Sequence, residues 1–214
     1  MMSRSSKSTG REWIEALVIA FVLAVLIRAF ILHPYKIPSS SMEDTLLRGD
    51  HIMAAKFSYG MTVPFTTYKL WGRDIVPKRG DVVIFSFPKD PSLDFVKRVI
   101  GLPGETLQIK NKRVIIGGRE YLNGHEKFED AFLLSDGPNR SRDNLGPIKI
   151  EPGHVFVMGD NRDKSYDSRF WGQLPVENIK GKAMIVYFSW DSERHAPRLD
   201  RIGTLINGKE AKKE

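Results

Sequence analysis

The chain has 214 residues, room for one domain with attachments, and it carries 33 lysines and arginines against 26 aspartates and glutamates, a formal net charge of +7. A basic excess suits an anionic membrane surface or nucleic acid, but no dense Lys/Arg run is interleaved with aromatics, so nucleic acid is set aside as a partner. The absence of cysteine excludes disulfides, Cys-ligated zinc and thiol chemistry.

In chain order, residues 1–12 (MMSRSSKSTGRE) are polar and read as a cytosolic tail. Residues 13–32 (WIEALVIAFVLAVLIRAFIL) carry no charge from Ala16 to Ile27. The run has about the roughly 20 residues needed to cross a bilayer. Glu15 and Arg28 lie near its ends, where a long side chain can snorkel outward. The following HPYKIP lacks the small-x-small pattern of a cleavage site. The sequence therefore predicts an uncleaved single transmembrane signal-anchor helix over 13–32. Basic residues ahead of it keep the N-terminus in the cytosol, and 33–214 forms an exported domain facing membrane lipid.

Past residue 33 the chain reads as mainly β. The runs at 50–59, 80–87, 94–102, 105–118, 154–160 and 182–190 are apolar or alternating and bounded by Gly, Pro and Asp. No amphipathic helix is predicted after the anchor. Residues 123–149, polar and bearing Gly and Pro, predict an irregular excursion between two halves of one β body. The tail GKEAKKE, 208–214, predicts a solvated end.

The five histidines (His33, His51, His125, His154, His195) are scattered, with no metal spacing and no G-x-S-x-G elbow to support a Ser-His-Asp triad. GDNRDKSYDS, 159–168, spaces its acids like a calcium loop. Ser165 and Trp171 stand where that loop needs Gly and Glu, so no metal site is expected. Ser86-Phe87-Pro88-Lys89 matches a bare S-x-x-K, but it ends a strand and contains proline. No cofactor is called for.

A serine can instead be activated by a neutral lysine. The lysine pKa, near 10.4 in water, must then fall by about three, roughly 4 kcal/mol, which demands an apolar wall. In Asp94-Phe95-Val96-Lys97-Arg98-Val99-Ile100, a strand would put Lys97 between Phe95 and Val99 on one face and Arg98 on the other. The serines on offer stand in IPSSSMEDTL, 37–46.

Taken together, four stretches resemble bacterial type I signal peptidases, the membrane-anchored Ser–Lys proteases. They are the apolar run leading into PYKIPSSSMEDTL, then RGDVVIFSFP (79–88), DFVKRVIGLPGE (94–105) and GDNRDKSYDSRFWG (159–172), with a weaker echo in PRLDRIG (197–203). The resemblance implies an antiparallel, partly barrel-like β protease domain with a variable inserted segment at about 106–150. By position it makes Ser41 the nucleophile and Lys97 the general base. Ser39 and the Ser41 backbone N–H form the oxyanion hole, Ser165 orients the lysine, and Asp167 with Arg169 forms a structural ion pair. Ile37, Met42, Leu46, Phe95 and Val96 match the family's shallow pockets for small residues, which implies cleavage after an Ala-x-Ala-like site. Ser40 and Asp44 depart from the family pattern, which often has Gly and Pro there. The implied partners are preprotein signal peptides, membrane lipids and the export translocon, at the outer face of a bacterial inner membrane. Alternatives are an organellar inner-membrane or thylakoid processing peptidase, a self-cleaving Ser–Lys repressor, and a non-enzymatic anchored β-domain.

Overall fold

The computed structural model describes residues 9–30, 32–59, 61–62, 69–71, 75–134 and 140–206. The predicted solvated tail at 208–214 and most of the tail at 1–12 lie outside the described residues. The described chain opens on α1 (Thr9–Phe30), β1 (Leu32–Lys36) and β2 (Asp50–Ala55), followed by the short pair β3 (Met61–Thr62) and β4 (Lys69–Trp71). Next come β5 (Val82–Phe87), the long β6 (Asp90–Gly101), and β7 (Thr106–Lys110), β8 (Arg113–Ile116), β9 (Arg119–Tyr121) and β10 (Leu145–Lys149). The last elements are β11 (His154–Met158), the single-turn α2 (Ser168–Trp171), β12 (Leu174–Pro175), β13 (Ile179–Asp191) and β14 (Ala196–Pro197).

The helix corrects the predicted transmembrane anchor. It runs Thr9–Phe30 rather than 13–32, and among the described residues no helix is long and apolar enough to cross a membrane. The physical reason lies in its charges. Arg11, Glu12, Glu15 and Arg28 confine the uncharged stretch to Ala16–Ile27. At about 1.5 Å per residue that is roughly 18 Å, against about 30 Å of hydrocarbon.

The main sheet runs β1-β2-β13-β5-β6-β11-β12, with β14 paired to β13, and its ladders are antiparallel. Both its faces are covered. Val82 and Ile84 pack with Ile37, Met42, Leu46, Ile52 and Val186 on one side, while Val83 and Phe85 pack with Val99, Val155, Val157 and Leu174 on the other. Double coverage explains why Val82–Phe87 reads as a continuous apolar run instead of alternating. A second sheet, β10-β7-β8-β9, shares a third cluster with the first: Leu107, Ile109 and Val114 pack against Ile100, Phe156 and Met158. The predicted excursion at 123–149 is therefore shorter than expected, because Leu145–Lys149 pairs with Thr106–Lys110. Its Gly146 and Pro147 look like loop residues; long-range pairing overrides that local signal.

No ladder among the described residues joins β1 to β6. β11 pairs with β6 only from Arg98 onward, so residues 94–97 keep one free edge. The end of β1 and this half of β6 line the two sides of one cleft.

Candidate active site

Ser41 sits in the turns that follow β1. Backbone bonds from Ile37 N to Asp50 O (2.8 Å) and Gly49 N to Ile37 O (2.9 Å) tie the entry of this segment to the sheet. Buried Ile37, Met42 and Leu46 pin it into the first core cluster. Asn161 N donates to Ser41 O at 3.2 Å, which joins the turn to the 159–163 loop. Lys97 stands on β6 opposite Val83. Its Nζ lies 2.7 Å from Ser41 Oγ and 3.0 Å from Val96 O, and 5.5 Å from the centre of the Phe95 ring. Both residues are buried, Lys97 at 4 % and Ser41 at 8 % exposure.

Burial lowers the Lys97 pKa from 10.5 to about 8; the negative charge of Asp167 opposes the drop, Arg169 reinforces it and Asp160 opposes it. Burial would raise the Asp167 carboxyl, but the charge and hydrogen bonds of Arg169, the Gly159 N–H and Ser165 hold it below its ordinary value. Arg169 grips both Asp167 oxygens, at 2.8 and 2.9 Å. Asp160 is likewise taken by Arg98, at 2.7 and 2.6 Å. Each carboxylate near the lysine thus has its own guanidinium. A neutral amine with one N–H on Val96 O keeps its lone pair for the proton of Ser41 Oγ.

The cleft beside this pair has a volume of about 370 Å³. Ile37, Met42, Phe95 and Val96 line it, as do Ser39, Ser41 and Lys97. Ser39 Oγ is 3.3 Å from Ser41 Oγ. Leu46, expected in the pocket, is fully buried in the core and does not line the cleft. Ser165 is buried, and its Oγ makes no hydrogen bond of good geometry, to Lys97 or elsewhere, though it lies close enough to Asp167 to help stabilise that carboxylate. None of the five histidines lines the cleft. Of the two departures, Ser40 does not have a positive φ, so glycine is not required there, whereas Asp44 has φ 96°. Proline, fixed near −65°, has no access to that conformation; this turn is built differently from one carrying proline.

Sequence reasoning placed Arg98 on the face away from Lys97 but missed what holds it. Arg98 is fully buried and reaches Gly80 O (2.8 Å) and Thr45 Oγ1 (2.9 Å) besides Asp160. It also missed Gly159. A Cβ there would overlap Ser165 Oγ, Ser165 Cβ and the Ser41 carbonyl oxygen. The excursion does more than loop. Lys127 N donates to Asp160 O (2.8 Å), Arg162 N donates to Lys127 O (2.9 Å), and Glu129 and Asp130 N both bond Asp163 (2.8 Å each). Residues 127–130 thus strap the loop that holds Ser41. The sequence signal was present but weak: acidic and basic residues alternate through both segments.

A hydroxyl against a lysine of depressed pKa, set between strand edges of a β domain, is the arrangement of a serine peptidase. The model of the family described as signal peptidase, peptidase S26, matches residues 10–190, and the chain belongs to that family. It is a serine peptidase of the signal-peptide-removing class. It is 35% identical over 226 residues to a signal peptidase I of Pseudomonas fluorescens, covering 92% of this chain and 78% of that one. It is 37% identical over 191 residues to signal peptidase I P of Bacillus subtilis subsp. natto, covering 89% and 95%. A solved signal peptidase I from Enterococcus faecalis V583 is 26% identical, covers 50% of this chain and 97% of that one, and superposes with a TM-score of 0.41, a likeness too partial to bear on the site.

Proposed function

We propose that Ser41 is the nucleophile and Lys97 the general base of this peptidase. The observation that carries the reading is the 2.7 Å contact between Lys97 Nζ and Ser41 Oγ, made by a lysine whose burial brings its pKa to about 8. Ser41 Oγ attacks the carbonyl before the cleaved bond as Lys97 takes its proton. Lys97 then passes that proton to the leaving amine, and water, deprotonated by the same lysine, hydrolyses the acyl-enzyme. Ser39 Oγ and the Ser41 N–H receive the oxyanion, an interaction worth roughly 2.7–4 kcal/mol per donor. Ser165, whose Oγ makes no hydrogen bond to Lys97 here, supports the site through Asp167, and the Asp167–Arg169 pair serves the scaffold. The substrate adds as an extended strand between the free edges of β1 and β6. Ile37, Met42 and Val96 offer it shallow apolar pockets that suit small side chains, hence an Ala-x-Ala-like site.

The reading places the protein's work at a bacterial membrane, on preproteins whose signal peptides lie in lipid. Two features support it. On α1, Trp13, Ile14, Leu17 and Phe21 are 64–70% exposed. On the domain, Tyr187, Trp190, Leu199, Ile202 and Leu205 are exposed as well. Apolar surface of this extent marks a contact with lipid or protein. The test is cleavage of a preprotein by the purified full chain in detergent, beside Ser41→Ala and Lys97→Ala. Each variant should lose orders of magnitude, and the double variant little more than either. Near-wild-type turnover in either folded variant refutes the assignment.

A further inference from the structure

The cleft is lined on one side by a residue that the reaction does not use. Tyr166 follows Ser165 in the 159–168 loop, faces the cleft and is 50% exposed. Its ring stacks on Phe170 (centroids 5.6 Å, 27° between planes) and meets Phe87 edge-on at 6.1 Å. Phe87 stacks on Phe95 at 4.6 Å and 11°. Tyr166 is therefore the outermost ring of a packed aromatic group, held from behind with room in front.

Direction along β6 gives this wall a meaning. Neighbouring residues of the strand point to opposite faces: Val96 packs with Ile37 and Met42 in the first core cluster, Phe95 with the second. A substrate strand laid along the free edge of β6 alternates in the same way. If its two small side chains enter on the Ile37–Met42–Val96 side, the residue between them points to the Phe95 side, where Tyr166 stands. We propose that Tyr166, backed by Phe95 and Phe87, forms a separate subsite for the residue between the two small ones, and favours an aromatic or large apolar side chain there. This rests on the extended-strand reading above. Offset or edge-on ring contacts supply the preference, and the exposed half of Tyr166 leaves the ring of the incoming residue partly in water. Lys164, also on the rim, is engaged by Glu129.

The experiment uses the full chain in detergent and paired peptides with Ala-Phe-Ala or Ala-Gly-Ala before the cleaved bond. Wild type should favour the Phe peptide by about tenfold in kcat/KM, the scale of one pocket contact. Tyr166→Ala should bring the ratio to within twofold of unity, and Tyr166→Phe should keep it. Tyr166→Leu, which preserves packing on Phe170, guards against loss of fold in the alanine variant and should also show a reduced ratio. In all of them alanine should remain preferred over leucine at the two flanking positions. The same peptides titrated calorimetrically into Ser41→Ala and Ser41→Ala/Tyr166→Ala read the subsite without turnover. A Phe:Gly binding ratio that Tyr166→Ala leaves unchanged, or a wild type with no such ratio, overturns the proposal. Absence of cleavage with the binding ratio intact refutes instead the assignment of Ser41 and Lys97.

Discussion

Lys97→Met separates the cost of the lysine from its use. With its pKa lowered from 10.5 to about 8, about a tenth of Lys97 is neutral at pH 7, against roughly one part in 3,000 for an unperturbed lysine. That gain is paid in stability. The folded state holds its proton less tightly than the unfolded chain, so the unfolded chain binds more protons between about pH 8 and 10.5, and stability rises with pH across that window. Below pH 8 the full penalty stands, at most roughly 3 kcal/mol. Methionine fills a similar volume without charge. Lys97→Met should therefore abolish cleavage yet unfold in urea at pH 7 with a free energy higher by up to about 3 kcal/mol. The difference should shrink toward zero above pH 10. In wild type, kcat/KM should climb nearly tenfold per pH unit below about 8 and level off above. A flat profile from pH 6 to 9, or a Lys97→Met protein less stable than wild type at pH 7, refutes the reasoning.

Gly159→Ala should lower kcat/KM by about a hundredfold, because its Cβ must displace Ser165 and the Ser41 carbonyl and small misplacements cost that much; steady-state kinetics of the folded variant tests it. Asp160→Asn leaves Arg98, fully buried, with no counter-charge and should cost roughly 3–5 kcal/mol in a denaturant melt. Arg169→Met frees Asp167 to stabilise the protonated Lys97, so the rising limb of the pH–rate profile should move to higher pH; a limb that stays in place argues against this electrostatic account.

The residues of the proposed site stood out in the sequence because chemistry constrains them locally. Ser39, Ser41, Lys97 and Ser165 each lie in a short box whose order along the chain is itself informative. Less legible were groups whose reason for existing is another part of the chain. Arg98 finds Asp160 across a separation of 62 residues, and nothing in DFVKRVIGL shows that the second face of the strand is buried too. Leu46 was assigned to the pocket because it shares a box with Met42; the turn that follows Ser41, closed by Leu46 N on Met42 O, sends it into the core. The apolar run at 13–32 was read by hydropathy, which weighs the charges of the first turns too lightly. Tyr166 carried no signal, since an aromatic in a polar loop has no meaning until Phe87 and Phe170 are beside it.

Two buried ion pairs beside Lys97, Arg98–Asp160 and Arg169–Asp167, explain how this site tolerates so much charge. Lys97 and Arg98 are adjacent cations, both nearly inaccessible, and Asp160 and Asp167 are close enough to act on the lysine. An uncommitted carboxylate there would pair with Lys97 and hold it protonated, unable to accept the proton that the proposed mechanism asks of it. Alternation along β6 sends Arg98 to the opposite face, where it takes both oxygens of Asp160. Arg169 takes both oxygens of Asp167. The largest contribution to the Lys97 shift is desolvation, and Arg169 offsets part of the opposing pull of Asp167. The ion pairs therefore contribute less by their own stability, which buried pairs seldom supply, than by keeping carboxylates away from the amine.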